Sequence, residues 1–239
     1  MSKKRFVDID FFKGIAILCM ITFHYFYYPT QMGIPGYNYN TPILRLIAKI
    51  AQVIFIVCSG MNLSISYENN KEDMDIYYKK QKERIIKLYC YAFILSIVSY
   101  FLFYEKWIKF GILHFMAKMA LLFYGLVHSD TILLIIGIII LLLTTLKYYT
   151  PSLFYKIPSP IAFIAGFYNS KYSSFDHFSI IPWSILYILG IFLGKLLYKH
   201  PHQFLPKSIE KATKTSIIKI GKYSLEIYMI HWIVLYLIF

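Results

Sequence analysis

The chain has 239 residues, of which 58% are hydrophobic, 19% aromatic and only 15% charged, with a formal net charge of +13. The charges are bunched between long apolar runs, which excludes an ordinary water-soluble domain whose elements would alternate polar and apolar faces. Nucleic-acid binding is excluded as the meaning of the positive excess, because the lysines sit in short segments beside the apolar runs, where membrane topology and anionic headgroups account for them.

A helix needs roughly 20 residues to cross the hydrocarbon core of a bilayer. By that ruler the first span covers residues 10–28. It follows Lys3, Lys4 and Arg5, and resembles a signal peptide until Asp8 and Asp10 interrupt it with no small-residue cleavage site behind them, so an uncleaved span is expected. Further spans are predicted over residues 46–66, 86–104, 110–127, 131–146, 180–198 and 219–239. The run 131–146 is apolar on every side, the mark of a helix surrounded by lipid or other helices. Residues 157–168 are apolar too, but they hold Pro158 and Pro160 and are short for a crossing. The expected fold class is therefore all-α: a polytopic transmembrane helix bundle of seven full spans plus one short re-entrant or interfacial helix, eight spans being the alternative, in a single domain over residues 1–239.

The positive-inside rule orients the bundle. With seven spans, one side carries Lys3, Lys4 and Arg5, then Lys71, Lys79, Lys80, Lys82, Arg84 and Lys87, then Lys195, Lys199, Lys207, Lys211, Lys214, Lys219 and Lys222. The other side holds only Lys106, Lys109, Lys147, Lys156 and Lys171. The N-terminus is thus expected in the cytoplasm of a protein integral to the plasma membrane. A full crossing at 157–168 would put the lysine-rich segment before the last span outside, against the rule.

Ionisable groups inside a bilayer cost about 2.5 to 3.5 kcal/mol each on insertion scales, so they are functional candidates by default. Asp10 and Lys13 open the first span and His24 lies near its far end, about 21 Å away at the helical rise. The fourth span enters from outside, with His114 in its first turns and Lys118 one turn deeper on the same face. The sixth begins at Asp176 and His177. Three polar clusters from distant stretches of sequence are expected at one depth, toward the outer side. A carboxylate beside an imidazole fixes its tautomer and stabilises the imidazolium, and Asp176 is the candidate to do this for His24 or His114.

Plainer roles compete. A histidine near a helix end is often interfacial, and Asp8 or Asp10 suits the helix dipole as a cap. His128, His200 and His202 fall in loops or at span ends. His231, with Glu226, lies inside the last span and reads as interhelical glue as readily as part of a site. Arg45 and Lys49 share a face where they hold a phosphate or simply snorkel. Cys19, Cys58 and Cys90 fall in apolar runs as small hydrophobes without metal-type spacing, and no metal site is expected. Gly190 and Gly194 form a small-residue face that packs within the chain or between subunits, which leaves a homo-oligomer open.

Four stretches carry a resemblance. They are Arg5-Phe-Val-Asp-Ile-Asp10-Phe-Phe-Lys-Gly14 leading to His24; Phe110-Gly-Ile-Leu-His114-Phe; Phe175-Asp-His-Phe-Ser-Ile-Ile-Pro-Trp183 with Gly190 and Gly194; and Gly221-Lys-Tyr-Ser-Leu-Glu226-Ile-Tyr-Met-Ile-His231. In this order, over nearly the whole chain, they resemble the small prokaryotic branch of the heparan-α-glucosaminide N-acetyltransferase catalytic-domain family. The resemblance implies transfer of an acetyl group from cytoplasmic acetyl-CoA, the acyl donor, to a sugar amine or hydroxyl across the membrane, on an extracytoplasmic glycan or lipid-linked sugar. It makes His24 and His114 candidates for general base or transient acyl carrier, and Asp10 and Asp176 the orienting carboxylates. Lys13, Lys118 and Arg45 become candidate contacts for the donor. The animal members have their proposed catalytic histidine in the first lumenal loop, and residues 28–40 here contain none, so direct attack with a histidine as base stands beside an acetyl-histidine step.

A secondary transporter or flippase for a glycan, lipid or proton-coupled solute would also place ionisable groups in a bundle interior. An inverted repeat or paired broken helices would favour it, and the sequence shows neither.

Overall fold

Long apolar runs leave the backbone one way to satisfy its own polar groups in hydrocarbon, the α-helix. The computed structural model describes residues 6–102, 104–154, 159–167, 174–198 and 216–239. The cations Lys3, Lys4, Arg5, Lys156, Lys171, Lys199, Lys207, Lys211 and Lys214, with His200, His202, Ile157, Pro158 and Tyr168, lie outside the described residues.

In chain order the helices are α1 (Val7–Gln31), α2 (Pro42–Glu68), α3 (Met74–Leu102), α4 (Ile112–Phe123), α5 (Asp130–Tyr149), α6 (Ser159–Ala165), α7 (Ile180–Leu197), α8 (Ile217–Lys222) and α9 (Ser224–Ile238). No strand occurs among the described residues, only an isolated parallel bridge between Phe110 and His177. Five helices, α1, α2, α3, α5 and α7, are long and apolar enough to cross a membrane. The expected fourth and last spans are represented by shorter apolar helices, α4 with 12 residues and α9 with 15. At the helical rise these reach only about 18 and 22 Å. The seven residues of α6 rise about 10 Å.

Local chemistry sets several boundaries. Asp8 and Asp10 occupy the first turn of α1, where the dipole favours carboxylates, although no side chain caps its start at Phe6. Its C-terminal end closes with Gly33 at φ +76, a left-handed conformation glycine adopts without cost. Ser129 caps α5 through Ile132 N–H. That helix packs on α7 and buries only Leu133 and Ile140, while Leu134, Ile135, Ile138, Ile139, Leu141 and Leu142 are exposed, as expected of a helix facing lipid. Cys58 is buried as expected, but Cys90 is exposed on α3.

The chain folds as two compact units, Met1–Cys58 with His200–Phe239, and Ser59–Lys199, the division falling within α2. In the first unit α8 and α9 pack on α1. Ile17, Met20 and Ala51 form its buried cluster, covered by Phe55, Ile220, Ile227 and Tyr228. Gly14 and Gly221 let α1 and α8 touch backbone to backbone: a Cβ on Gly221 would collide with the Asp10 carbonyl oxygen, and one on Gly14 with that of Ile217. In the second unit α2 and α7 meet the same way. A Cβ on Gly60 would strike the Tyr187 carbonyl, and one on Gly194 would strike Ser64 Oγ. The Gly190 and Gly194 face therefore packs within the chain.

Candidate active site

In the first unit the last helix brings His231 onto α1. His24 Nδ1 and His231 Nε2 are 3.1 Å apart, and the two rings stack with centroids 5.0 Å apart at 27°. His231 Nδ1 lies 2.6 Å from the Tyr228 carbonyl oxygen. A carbonyl only accepts, so Nδ1 of His231 carries the proton and its Nε2 offers a lone pair. Nδ1–H of His24 must then donate to that lone pair, which leaves Nε2 of His24 as a basic lone pair. The result is a directed chain, His24 Nδ1–H to His231 Nε2, then His231 Nδ1–H to the Tyr228 carbonyl. If His24 takes a proton on Nε2, the imidazolium remains hydrogen-bonded to a neutral acceptor. This is the tautomer-fixing role usually given to a carboxylate, performed here by a second imidazole. Tyr28 stacks on His24 at 5.3 Å and on Trp232 at 6.1 Å, walling the pair with aromatic surface.

Asp10 is 4% exposed and Asp8 1%. Lys13 Nζ stands 3.9 Å from Asp10 Oδ1, an intrahelical pair one turn apart. Lys13 thus faces a carboxylate of its own helix. Arg45 lies on the exposed side of the first turn of α2.

In the second unit His114 and Asp176 are brought to the same end of α4, with Asp176 on that helix's backbone. Asp176 Oδ2 accepts a hydrogen bond from Ile112 N–H at 2.9 Å, so the carboxylate caps the helix that carries His114. Burial pushes this carboxyl up to about 6, while the Ile112 hydrogen bond acts in the opposite direction. His114 is itself buried, with Nε2 3.4 Å from Ser96 Oγ. Ser96 donates its hydroxyl hydrogen to the Ile108 carbonyl at 2.7 Å, so its oxygen accepts from His114 Nε2–H and Nδ1 keeps the lone pair. Lys118, one turn on, is half-buried, while its neighbours from Ile112 to Ala120 are buried.

The backbone around this cap is irregular and hydrogen-bonded at several points. Phe175 N–H donates to the Lys106 carbonyl at 2.8 Å and Phe178 N–H to that of Phe110 at 3.0 Å. Ser174 Oγ donates to the Trp107 carbonyl at 3.0 Å, and Ser99 Oγ accepts from Ile108 N–H at 2.9 Å. Non-helical chain at a membrane boundary needs such partners. His177 packs against Phe163 with ring centroids 4.0 Å apart and the rings tilted by 40°, and burial together with the Lys147 charge pushes its imidazole down to about 4.

Residues 5–233 match the family described as Heparan-alpha-glucosaminide N-acetyltransferase, catalytic. The chain belongs to this family. No curated protein and no solved structure matches it. Membership makes the protein a membrane acyltransferase by class, and the four stretches quoted from its sequence all lie within the matched region, Arg5 at its first residue. Among the described residues no group of three or more His, Cys, Asp or Glu side chains could hold a metal ion.

For this acetyltransferase-family chain the sequence named His231 without giving it a role in the chemistry. Its partner is 207 positions away. The spacing Tyr228 to His231, one helical turn, was the available signal, because it lets a ring nitrogen reach the carbonyl of the preceding turn.

Proposed function

We propose that this chain is a transmembrane acetyltransferase that moves an acetyl group from cytoplasmic acetyl-CoA to a sugar amine or hydroxyl on an extracytoplasmic glycan or lipid-linked sugar. It acts as a single domain over residues 1–239, in the plasma membrane, with a cytoplasmic N-terminus and seven crossings, α6 lying re-entrant or at the interface. The single observation that carries the chemistry is the His24–His231 pair, whose hydrogen-bond directions leave Nε2 of His24 as the proton acceptor.

In this reading the acceptor's amine or hydroxyl loses its proton to His24 Nε2 as it attacks the thioester carbon. A C–N or C–O bond forms, the C–S bond breaks, and the thiolate leaves with the donor. His231 holds the His24 ring in the productive tautomer, a positioning role. A general base so placed contributes about 10²- to 10⁴-fold. Asp10 and Asp176 act through structure, the first beside Lys13 and the second through the α4 cap that sets the orientation of His114, the second candidate base. Lys13, at the cytoplasmic end of α1, is the cation proposed for the donor's phosphates; Lys118, deeper in α4, is the proposed oxyanion donor, and Arg45, at the outer start of α2, a further proposed contact of the donor.

Purified protein in nanodiscs, given radiolabelled acetyl-CoA and a panel of amino sugars and lipid-linked sugars, should release CoA and label an acceptor. His24→Ala should lose about 10²- to 10⁴-fold in that rate while keeping its thermal stability. Equal CoA release in wild type, His24→Ala and His114→Ala would defeat the site assignment. Acceptor movement across a vesicle wall without acetyl transfer would place the chain with the transporters.

A further inference from the structure

A groove of about 380 Å³ lies in the second unit, between α3 and the end of α4, lined by Tyr78, Lys82, Ile85, Ile86, Leu121 and Tyr124. It stands where α3 changes character. Residues 79–87 carry Lys79, Lys80, Lys82, Arg84 and Lys87 against the single acidic Glu83, and the helix beyond them is the apolar part of a candidate span. Two of these cations are committed inside the fold: Lys80 Nζ donates to Asn70 Oδ1 at 2.6 Å, and Arg84 donates to Ser59 Oγ at 2.8 Å. Lys82 lies exposed at the groove's rim, with no hydrogen bond or ion pair among the described residues.

The walls are preformed. Tyr77 O–H donates to the Tyr124 carbonyl at 2.7 Å, tying α3 to the turn after α4, and the Tyr78 and Tyr124 rings meet edge-on at 5.8 Å. Ile86 is 51% exposed and Leu121 41%, so the floor is apolar surface open to the outside. Along α3 the tyrosine pair lies at the groove's end, the free Lys82 ammonium one turn further in and the open apolar floor beyond it, so a cation sits directly above an apolar surface as a phosphate sits above the acyl chains of a phospholipid.

We infer that this groove binds one anionic phospholipid, with its phosphate on Lys82 and an acyl chain along Ile85, Ile86 and Leu121. The positive charge of this end of α3 selects an acidic headgroup over a zwitterionic one. The inference stands apart from acetyl transfer, and its failure would leave that reading untouched.

The test is native mass spectrometry of the delipidated full-length protein in detergent, titrated separately with phosphatidylglycerol, phosphatidylcholine, glycerol 3-phosphate and coenzyme A. One phosphatidylglycerol should bind with about fivefold preference over phosphatidylcholine, the ratio expected from one basic residue at the headgroup level. Lys82→Gln should abolish the preference, and Leu121→Trp, which fills the floor from an exposed position, should weaken both lipids. Lys106→Gln, outside the groove, should change neither. Equal binding of the two lipids by wild type, or a preference that survives Lys82→Gln, would overturn the inference. So would glycerol 3-phosphate binding as tightly as the lipid, which would mean a free-phosphate site, or displacement of the lipid by coenzyme A, which would assign the groove to the donor.

Discussion

The carboxylate of Asp176 occupies the space that a side chain on Gly111 would need. Gly111 is the residue before α4, and a Cβ there would collide with Asp176 Oδ2 and lie 3.2 Å from its Cγ. A helix whose own N-cap position has no side chain is capped instead by a residue 64 positions beyond Ile112, the N–H donor. Two of the stretches that carry the family resemblance are thereby one structural device.

Removing the cap should cost stability. Asp176→Ala leaves Ile112 N–H without its acceptor, for about 1 kcal/mol. Asp176→Asn keeps an acceptor oxygen and should lose less. The carboxyl also carries a pH signature. Its value in the fold, about 6, lies above the ordinary 3.8, so the stability it contributes is complete below about 3.8 and is lost as pH rises through about 6. Thermal unfolding in detergent across this range should show that slope in wild type and a flatter profile in Asp176→Asn.

The histidine chain predicts an ordered series in turnover. His231→Ala removes the acceptor for His24 Nδ1–H and should lower kcat by about tenfold or more with little change in KM, because the base remains but loses its fixed tautomer. His231→Gln places an amide oxygen near the lost ring nitrogen and should recover part of that rate. A His231→Gln variant no better than His231→Ala would argue against the acceptor role.

Gly221 tests the contact between α1 and α8. A methyl group there meets the Asp10 carbonyl oxygen and the Gly14 nitrogen, both backbone atoms that cannot rotate away. Gly221→Ala should destabilise the protein by about 1–3 kcal/mol, the usual range for overpacking. The loss should appear as a lower midpoint of thermal unfolding.

Gly194 tests the internal use of the small-residue face. Gly194→Leu would drive a side chain into Ser64 and Met61 of α2. The expected outcome is a lower unfolding temperature with no change of oligomeric state in light scattering. A change of oligomeric state at unchanged stability would mean the face packs between subunits.

Apolar length and charge placement made α1, α2, α3, α5 and α7 legible from the sequence, because a crossing helix must be apolar over a distance the bilayer sets. The boundaries of α4 were not legible. A span over 110–127 was expected and the helix covers Ile112–Phe123: Ser96, Ser99 and residues 174–178 hold residues 106–110 in a non-helical path, and past Phe123 the chain enters turns closed by Leu126 N–H on the Phe123 carbonyl and Ser129 N–H on that of Leu126. The expected last span, 219–239, is broken at Tyr223, whose φ of −102 and ψ of 23 separate α8 from α9 just beyond the tight contact at Gly221. Hydropathy averages over such events, since a break of one residue hardly alters a window's apolar content.

By itself the sequence determined that this is a helical membrane chain, where its basic residues gather, and to which acyltransferase family it belongs. These properties follow from composition, spacing along the chain and residue order. Only the tertiary structure decided which groups meet: His24 with His231 rather than with an aspartate, and Asp176 with the backbone of the His114 helix rather than with an imidazole. Hydrogen bonds are set by distances of about 3 Å and by direction. Helical periodicity shows which residues share a face but says nothing about which residue, some two hundred positions away, that face will meet.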